Sequence, residues 1–204
     1  MSNMILIDMK KLVIFIFLAL FSFSAFAQKE LGFGYGISQL FYQQNQSGTA
    51  VNAQTPYKGA YVSLTTKLAD LFQDVTLRGG VMASYGVYKD DSEIDKEAYL
   101  TIPLDFRAVG KLGNAELFAG LGPRISYGLM STVSPAGGGN VSVDVYKSAD
   151  YKRFDIMFGF NFGVVLAQKY LLQLSWDRGL VTRMEDSTTK MTRNFLGIGA
   201  GILF

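Results

Sequence analysis

Long stretches of the chain alternate between apolar residues and polar or small residues with a period of two. The clearest stretch runs from Phe154 to Leu166, where every second residue is apolar and most of the intervening residues are polar or Gly. A period of two places the two sets on opposite faces of a β-strand, whereas a helix would distribute them around its axis. The pattern therefore predicts a strand with one apolar face.

Seven further stretches show the same alternation, so we predict eight strands of about 10–16 residues. The other stretches cover residues 31–41, 60–65, 75–85, 99–107, 115–129, 170–177 and 195–204. Strands in soluble sheets usually have about 5–6 residues, and a tilted strand needs about 9–11 residues to cross the hydrocarbon layer of a membrane. The predicted lengths favour membrane-spanning strands.

The connections between these strands alternate in length. Short connections are predicted at 69–74, 110–114 and 167–169, and long polar or Gly-rich loops at 44–56, 88–96, 131–150 and 183–190. Short turns on one rim and long loops on the other are typical of outer-membrane barrels, with the termini on the periplasmic short-turn rim. The predicted fold class is all-β, an eight-stranded antiparallel up-and-down transmembrane β-barrel.

The content of the non-apolar face separates this fold from a soluble alternative. A soluble barrel of the lipocalin type, or a soluble sandwich, turns its apolar face inward and its polar face to water. Here the second face is rich in Gly, which suits the narrow interior of an eight-stranded barrel. The Gly residues on this face are Gly32, Gly34, Gly36, Gly120, Gly122, Gly159, Gly163, Gly197, Gly199 and Gly201.

The same face carries charges that balance. The positive residues are Arg78, Arg107, Arg124, Arg153 and Arg193, and the negative residues are Glu97, Asp105, Glu116, Asp155 and Asp177. Charges removed from water need partners, and the planar guanidinium of Arg can bind two carboxylates. We interpret the set as an electrostatic plug, because eight strands leave little interior width. A conductive or ligand-gated path lined by these residues is the alternative.

The apolar face carries the aromatic residues and two cations. Its Tyr and Trp residues near strand ends, such as Tyr170 and Trp176, are typical of the aromatic girdles at a membrane interface. Lys58 and Arg178 share this face toward the long-loop rim. They either extend their charges to the interface or pair with phosphates of lipopolysaccharide. Outer-membrane lipid is thus one expected partner.

The N-terminal residues predict a cleaved signal peptide. Met9 is followed by two Lys residues, an apolar run and then Ala25 and Ala27 in the spacing of a cleavage site. We expect residues 1–27 to be the signal peptide, with translation starting either at Met1 or at Met9, and residues 28–204 to form the barrel domain. The barrel-assembly machinery is a second expected partner, because Phe204 ends the last strand as an aromatic residue on its apolar face.

Composition argues against active-site chemistry. The 204 residues include no Cys and no His, which excludes thiol nucleophiles, Ser-His-Asp triads and sites with His or Cys metal ligands. We expect no enzymatic activity, cofactor, metal site or catalytic residue. The net charge of +2 is too small to predict nucleic-acid binding.

Two motifs resemble a known family. The first is Tyr99-Leu100-Thr101-Ile102-Pro103-Leu104, and the second runs from Phe118 to Tyr127 as Phe-Ala-Gly-Leu-Gly-Pro-Arg-Ile-Ser-Tyr. Both resemble the PorT-like outer-membrane β-barrels of Bacteroidetes, and the segments 176–180 and 197–204 fit the last two strands of that family. The resemblance implies an integral outer-membrane barrel like OmpX and OmpA, in a family linked to type IX secretion and gliding, with no catalytic residues.

Four functions remain open from the sequence. The first is a structural or accessory barrel that presents its loops, with an envelope protein as the expected partner. The second is a subunit of a type IX secretion or uptake complex, and the third is a narrow channel for small solutes. A lipid-modifying enzyme is the least favoured, since the chain has no His.

Overall fold

Strands account for most of the structure, a computed structural model that describes residues 28–46, 49–136, 142–148, 151–185 and 189–204. One short helix, α1 (Val145–Ser148), lies among them. The strands in these ranges are β1 (Lys29–Gln46), β2 (Thr49–Phe72), β3 (Val75–Lys89), β4 (Glu93–Leu112), β5 (Ala115–Pro135), β6 (Val143–Asp144), β7 (Phe154–Leu166), β8 (Tyr170–Gly179), β9 (Met184–Glu185) and β10 (Thr189–Leu203).

Eight of these strands form a closed ring within the described part of the chain. The order is β1-β2-β3-β4-β5-β7-β8-β10, and β10 returns to pair with β1. Each pairing is antiparallel, and the two-residue strands β6 and β9 attach to β5 and β10. Closure removes the unpaired edges that an open sheet would present to lipid. The predicted eight-stranded antiparallel barrel is confirmed.

The surface of the ring is inverted relative to a soluble protein. Apolar side chains are exposed on the outside, as Phe33 and Ile198 are at 62% each, whereas Asp155 and Ser126 are fully buried inside. The outward residues of β7 are apolar along its whole length. At about 3.3 Å per residue and a tilt of about 40°, β7 spans about 30 Å, the thickness of the hydrocarbon layer. This is the architecture of an outer-membrane β-barrel.

Several strands are longer than the sequence pattern predicts. β2 has 24 residues and β5 has 21, compared with the predicted 10–16. The predicted loops 44–56 and 88–96 are therefore largely strand: β1 and β2 stay paired out to Gln46 and Thr49, and β3 and β4 pair out to Lys89 and Ile94. Both faces of these extensions lie outside the membrane, so they lack the alternation that marks a half-apolar strand.

Facing glycines form the seam that closes the ring. On the lumen side of the β1–β10 pair, Gly32, Gly34 and Gly36 lie opposite Gly201, Gly199 and Gly197. A Cβ on Gly36 would lie 2.6 Å from the ring atom Cζ of Phe195. The seam thus provides the space that the inward rings of Phe195 and Tyr61 occupy, and these rings pack edge to face at 5.8 Å.

The two ends of the chain bear on the targeting predictions. Phe204 lies outward, and its backbone is hydrogen-bonded to Lys29 in both directions at 2.9 and 3.0 Å. Ala25 and Ala27 lie outside the described residues, so the signal peptide 1–27 and its cleavage site stay predictions. Among the described residues, no helix is long and apolar enough to span a membrane.

Candidate functional site

The candidate site is the lumen, where the inward residues of the eight strands meet. At its short-turn end, Arg78 on β3 and Arg107 on β4 both pair with one carboxylate, Glu30 on β1. The Arg78–Glu30 distance is 3.2 Å, and the second Glu30 oxygen accepts a hydrogen bond of 3.0 Å from Thr65. The Arg107 guanidinium also lies 4.1 Å from the ring centre of Phe118. Two cations therefore share one anion here.

In the middle of the lumen, two carboxylates share one cation. Arg124 on β5 pairs with two carboxylates, Asp105 on β4 and Asp177 on β8, the latter at 3.4 Å. A Cβ on Gly159 would overlap the Asp177 carboxylate and lie 2.7 Å from Arg124 Nε. This glycine on β7 thus leaves room for an ion pair that passes over β7 to join β5 and β8.

A third pair lies toward the long-loop end. Arg193 on β10 contacts Asp155 on β7 at 3.2 Å and donates a 2.7 Å hydrogen bond to the Ser126 hydroxyl. Its guanidinium carbon lies 3.8 Å from the ring centre of Tyr99. Arg193 and Asp155 are both almost fully buried, so the pair is shielded from bulk water.

The long-loop mouth is closed by Arg183, which follows β8 outside the eight-stranded ring. Its guanidinium donates hydrogen bonds to the hydroxyls of Tyr99 (2.6 Å) and Tyr146 (2.9 Å) and to the Lys152 carbonyl. It also lies 4.5 Å from the ring centre of Tyr151. Arg183 is fully buried. An apolar cluster lies beside it, built on Leu40, Tyr57, Tyr151 and Met191 and packed against Tyr42, Tyr88, Val145, Tyr146 and Met184.

The structure brings together most of the lumen charges named from the sequence and separates two of them. Arg78, Asp105, Arg107, Arg124, Asp155, Asp177 and Arg193 take part in the ion pairs above, and Glu97 accepts a 3.5 Å hydrogen bond from Tyr151. Arg153 lies at the long-loop rim, where it donates to the carbonyls of Gly128 and Leu129 and stacks on Tyr146. Glu116 is half-buried at the short-turn end and has no ion pair among the described residues.

Sequence reasoning missed three of the buried charges: Glu30, Arg183 and Asp95, the last of which lies in the predicted loop 88–96. Glu30 lies one position before the first apolar residue of β1 and on the same face as Gly32, so extending the alternation by one residue would have found it. Arg183 carries no such signal, because it belongs to an irregular segment that returns into the lumen. Among the described residues, the buried charges are then Arg78, Arg107, Arg124, Arg183 and Arg193 against Glu30, Asp95, Glu97, Asp105, Asp155 and Asp177.

Little open space remains between these side chains. A cavity in the middle of the lumen has a volume of about 50 Å³, one beside Tyr99 and Phe195 about 10 Å³, and one at the short-turn end about 120 Å³. About 10–15 Å³ is needed per water molecule, so the first cavity holds only a few waters. Within the described ranges, no cluster of acidic residues is arranged to hold a metal ion.

The hairpin β3–β4 at the long-loop end carries two carboxylates whose pKa values shift in opposite directions. Burial and the neighbouring Glu93 carboxylate raise the pKa of Asp95 to about 6. At the turn, the hydroxyl and backbone donors of Ser92 hold the pKa of Asp90 below its usual value. Asp90 accepts 2.8 Å hydrogen bonds from the Ser92 hydroxyl and from the backbone of Ser92 and Glu93, which fixes this hairpin turn.

Comparisons with known proteins give structural similarity only. No family model matches the chain, and no curated protein matches it. The attachment invasion protein Ail of Yersinia pestis, solved with the heparin analogue sucrose octasulfate, is 13% identical over 87% of this chain and 99% of that chain, with a TM-score of 0.43. Neisserial surface protein A is 14% identical over 84% of this chain and 97% of that chain, with a TM-score of 0.47. OprG of Pseudomonas aeruginosa is 11% identical over 87% of this chain and 96% of that chain, with a TM-score of 0.46. Similarity at this level does not indicate a shared ligand or activity.

Proposed function

We propose that this protein is an outer-membrane barrel that is closed to solutes and acts through its extracellular hairpins. The observation that supports this most directly is the position of Arg183 in the long-loop mouth. Its guanidinium lies between the rings of Tyr99 and Tyr151, at 4.9 and 4.5 Å from their centres. Below it, the ion pairs of Arg193 and Arg124 occupy the lumen, so a solute entering from outside meets three successive layers of buried charge.

The extracellular ends of the strands provide the surface that such a barrel presents. The β1–β2 and β3–β4 pairs continue beyond the membrane-spanning part as paired strands. The apolar cluster that includes Tyr57 and Met191 supports their bases. A rigid barrel with protruding hairpins is suited to presenting residues to an envelope partner, since binding residues are commonly carried by loops on a rigid scaffold.

A planar-bilayer recording tests the closed lumen. We expect refolded protein to give no discrete openings under conditions in which a 16-stranded porin conducts, because eight strands leave an interior filled by side chains. Discrete single-channel openings of the wild-type protein would contradict the proposal and favour the narrow channel for small solutes.

A second candidate function is a subunit of a type IX secretion or uptake complex. The motif at 99–104 and the motif at 118–127 favour it, because they resemble the PorT-like family, although no family model matches the chain. Purification from native envelopes tests this role. A variant in which the part of the β1–β2 hairpin beyond the Gln39–Pro56 pair is removed should lose its stoichiometric partner, and this loss would support the role. Recovery of a lone monomer argues against it.

Two partner predictions follow from outward residues of the barrel. Lys58 and Arg178 are exposed on the lipid-facing side near the extracellular rim, where they would meet lipopolysaccharide phosphates. Phe204 is 63% exposed at the end of the closing strand, where the barrel-assembly machinery would contact it. Lipid binding by variants of Lys58 and Arg178, and assembly of a Phe204 variant, test the two predictions.

A further inference from the structure

We propose that the short-turn end of the lumen binds one small oxyanion, a phosphate or a carboxylate group, between Arg78 and Arg107. The site is the cavity of about 120 Å³ that these two residues line together with Thr76 and Glu116. It lies at the periplasmic rim, on the opposite side of the barrel from the Arg183 plug. The proposal goes beyond the closed barrel argued above and does not depend on it.

The first observation is that two arginines share one ion-pair partner at this end. Arg78 and Arg107 both bind the same oxygen of Glu30, and the other oxygen of Glu30 accepts from Thr65. Both arginines are buried, at 3% and 5% exposure. A buried cation needs a partner anion, and here two guanidinium groups divide one carboxylate between them. Glu116 lines the same cavity but forms no ion pair with either arginine among the described residues, so neither guanidinium has a carboxylate of its own.

The second observation is a set of donors without acceptors. Within the described part of the chain, Arg78 Nε, Arg107 Nε and the Thr76 hydroxyl are buried and have no hydrogen-bond partner. All three residues line the same cavity. A buried donor without an acceptor is costly, so such donors in a native structure indicate a bound water or a bound acceptor. Two guanidinium groups and a hydroxyl favour an oxyanion over water alone, because charge-assisted hydrogen bonds are the stronger ones.

The third observation is the shape and position of the cavity. Phe118 lies against the Arg107 guanidinium at 4.1 Å and, with Val109 and Leu203, forms an apolar wall. This wall fixes the direction of the Arg107 donors. Lys67, whose side chain is 35% exposed and paired with Asp70, stands at the rim, so solutes from the periplasm can reach the cavity.

Glu116 lowers the affinity of the cavity for the proposed oxyanion, and this effect provides a test. Its carboxylate lines the cavity and carries the same sign of charge as the proposed ligand. It would repel a bound oxyanion and weaken binding, which is consistent with a site that exchanges its ligand. The middle of the lumen offers no equivalent site, because there Arg124 is already paired with Asp105 and Asp177.

Calorimetric titration of the refolded barrel in a phosphate-free nonionic detergent tests the proposal. Inorganic phosphate, acetate and acetyl-D-alanyl-D-alanine are the probes. We expect saturable binding of at least one of them at one site per barrel. Arg78→Gln should weaken it about tenfold or more, because a charge-assisted hydrogen bond contributes about 1.5–3 kcal/mol. Glu116→Gln should tighten it severalfold, and this variant leaves all the ion pairs with Glu30 in place.

Arg153→Gln is the matched control, because Arg153 lies at the opposite rim and its replacement should leave binding unchanged. Heat-modifiable mobility on a gel establishes that each variant is folded. Binding of phosphate assigns the site to free phosphate or a phosphate ester, and binding of the carboxylates without phosphate assigns it to a carboxylate ligand. The proposal is overturned if none of the probes binds saturably, or if Glu116→Gln and a folded Arg78→Gln both bind as the wild type does.

Discussion

Arg193 illustrates how a single residue depends on neighbours from several strands. Its guanidinium contacts Asp155 on β7, Ser126 on β5 and the ring of Tyr99 on β4. Removing a single partner of a buried ion pair leaves the other charge without compensation, which usually costs more than replacing both partners. The network therefore stabilises the barrel only while each buried charge keeps its partner.

Arg193→Met should accordingly lower the free energy of unfolding by about 3–5 kcal/mol, because Asp155 would stay buried without its partner. The double variant Arg193→Met/Asp155→Leu should recover most of that loss. Urea unfolding from lipid vesicles measures both.

Arg153→Met is the control for this cycle, since Arg153 is half-buried at the rim and its contacts with the described residues are two carbonyls and a ring. We expect a loss of about 1 kcal/mol. A double variant that is less stable than Arg193→Met alone would show that the pair is not the source of the effect.

The strands β1 and β10 show how an element depends on its smallest residues. Their glycines face one another across the closing seam, and larger rings from β2 and β10 fill the space that they leave. The alternation of the sequence identified these glycines as inward residues, and the narrow interior explained their number. It could not say that they lie opposite one another, because that depends on the register between the first and the last strand.

Gly36→Ala should destabilise the barrel by about 1–3 kcal/mol, because the added methyl group overlaps the ring of Phe195 and overpacking has costs of this size. Adding Phe195→Leu to this variant should restore part of the loss. Gly110→Ala is the control, since a Cβ at Gly110 meets no atom within 4 Å. Equal unfolding midpoints for the two alanine variants would contradict the proposed role of the seam.

At the scale of the whole molecule, the inverted surface is the decisive property. Apolar side chains face outward around the ring, and charged side chains face a lumen whose middle has a free volume of only about 50 Å³. The hydrocarbon layer takes the place that a protein core has in soluble barrels, so the outer surface should tolerate charges only where it meets the interface.

Phe160→Arg, in the middle of β7, should therefore lower the free energy of unfolding by about 2–4 kcal/mol, and Phe154→Arg, at the end of β7, by only about 0–1 kcal/mol. The two variants make the same chemical change at two depths, and urea unfolding from vesicles compares them. Equal costs at both positions would argue that this surface does not face lipid.

The sequence by itself determined the number of barrel strands, the face that each turns to lipid and most of the residues in the lumen. Alternation is a local property, so any half-apolar strand carries it in its own residues. The same reasoning explains why the strand extensions were assigned to loops. Those segments lie beyond the hydrocarbon layer, so neither face has to be apolar, and the strands are defined by pairing with a neighbour.

Only the tertiary structure decided which charges meet and what closes the barrel. Arg107 and Glu30 are 77 positions apart, and Arg183 and Tyr99 are 84 apart. Their contacts depend on the register of eight strands and on the closure of β1 against β10, which no local pattern encodes. Tertiary structure also decided how the lumen charges pair. The ring places two arginines on one carboxylate at one level and two carboxylates on one arginine at the next.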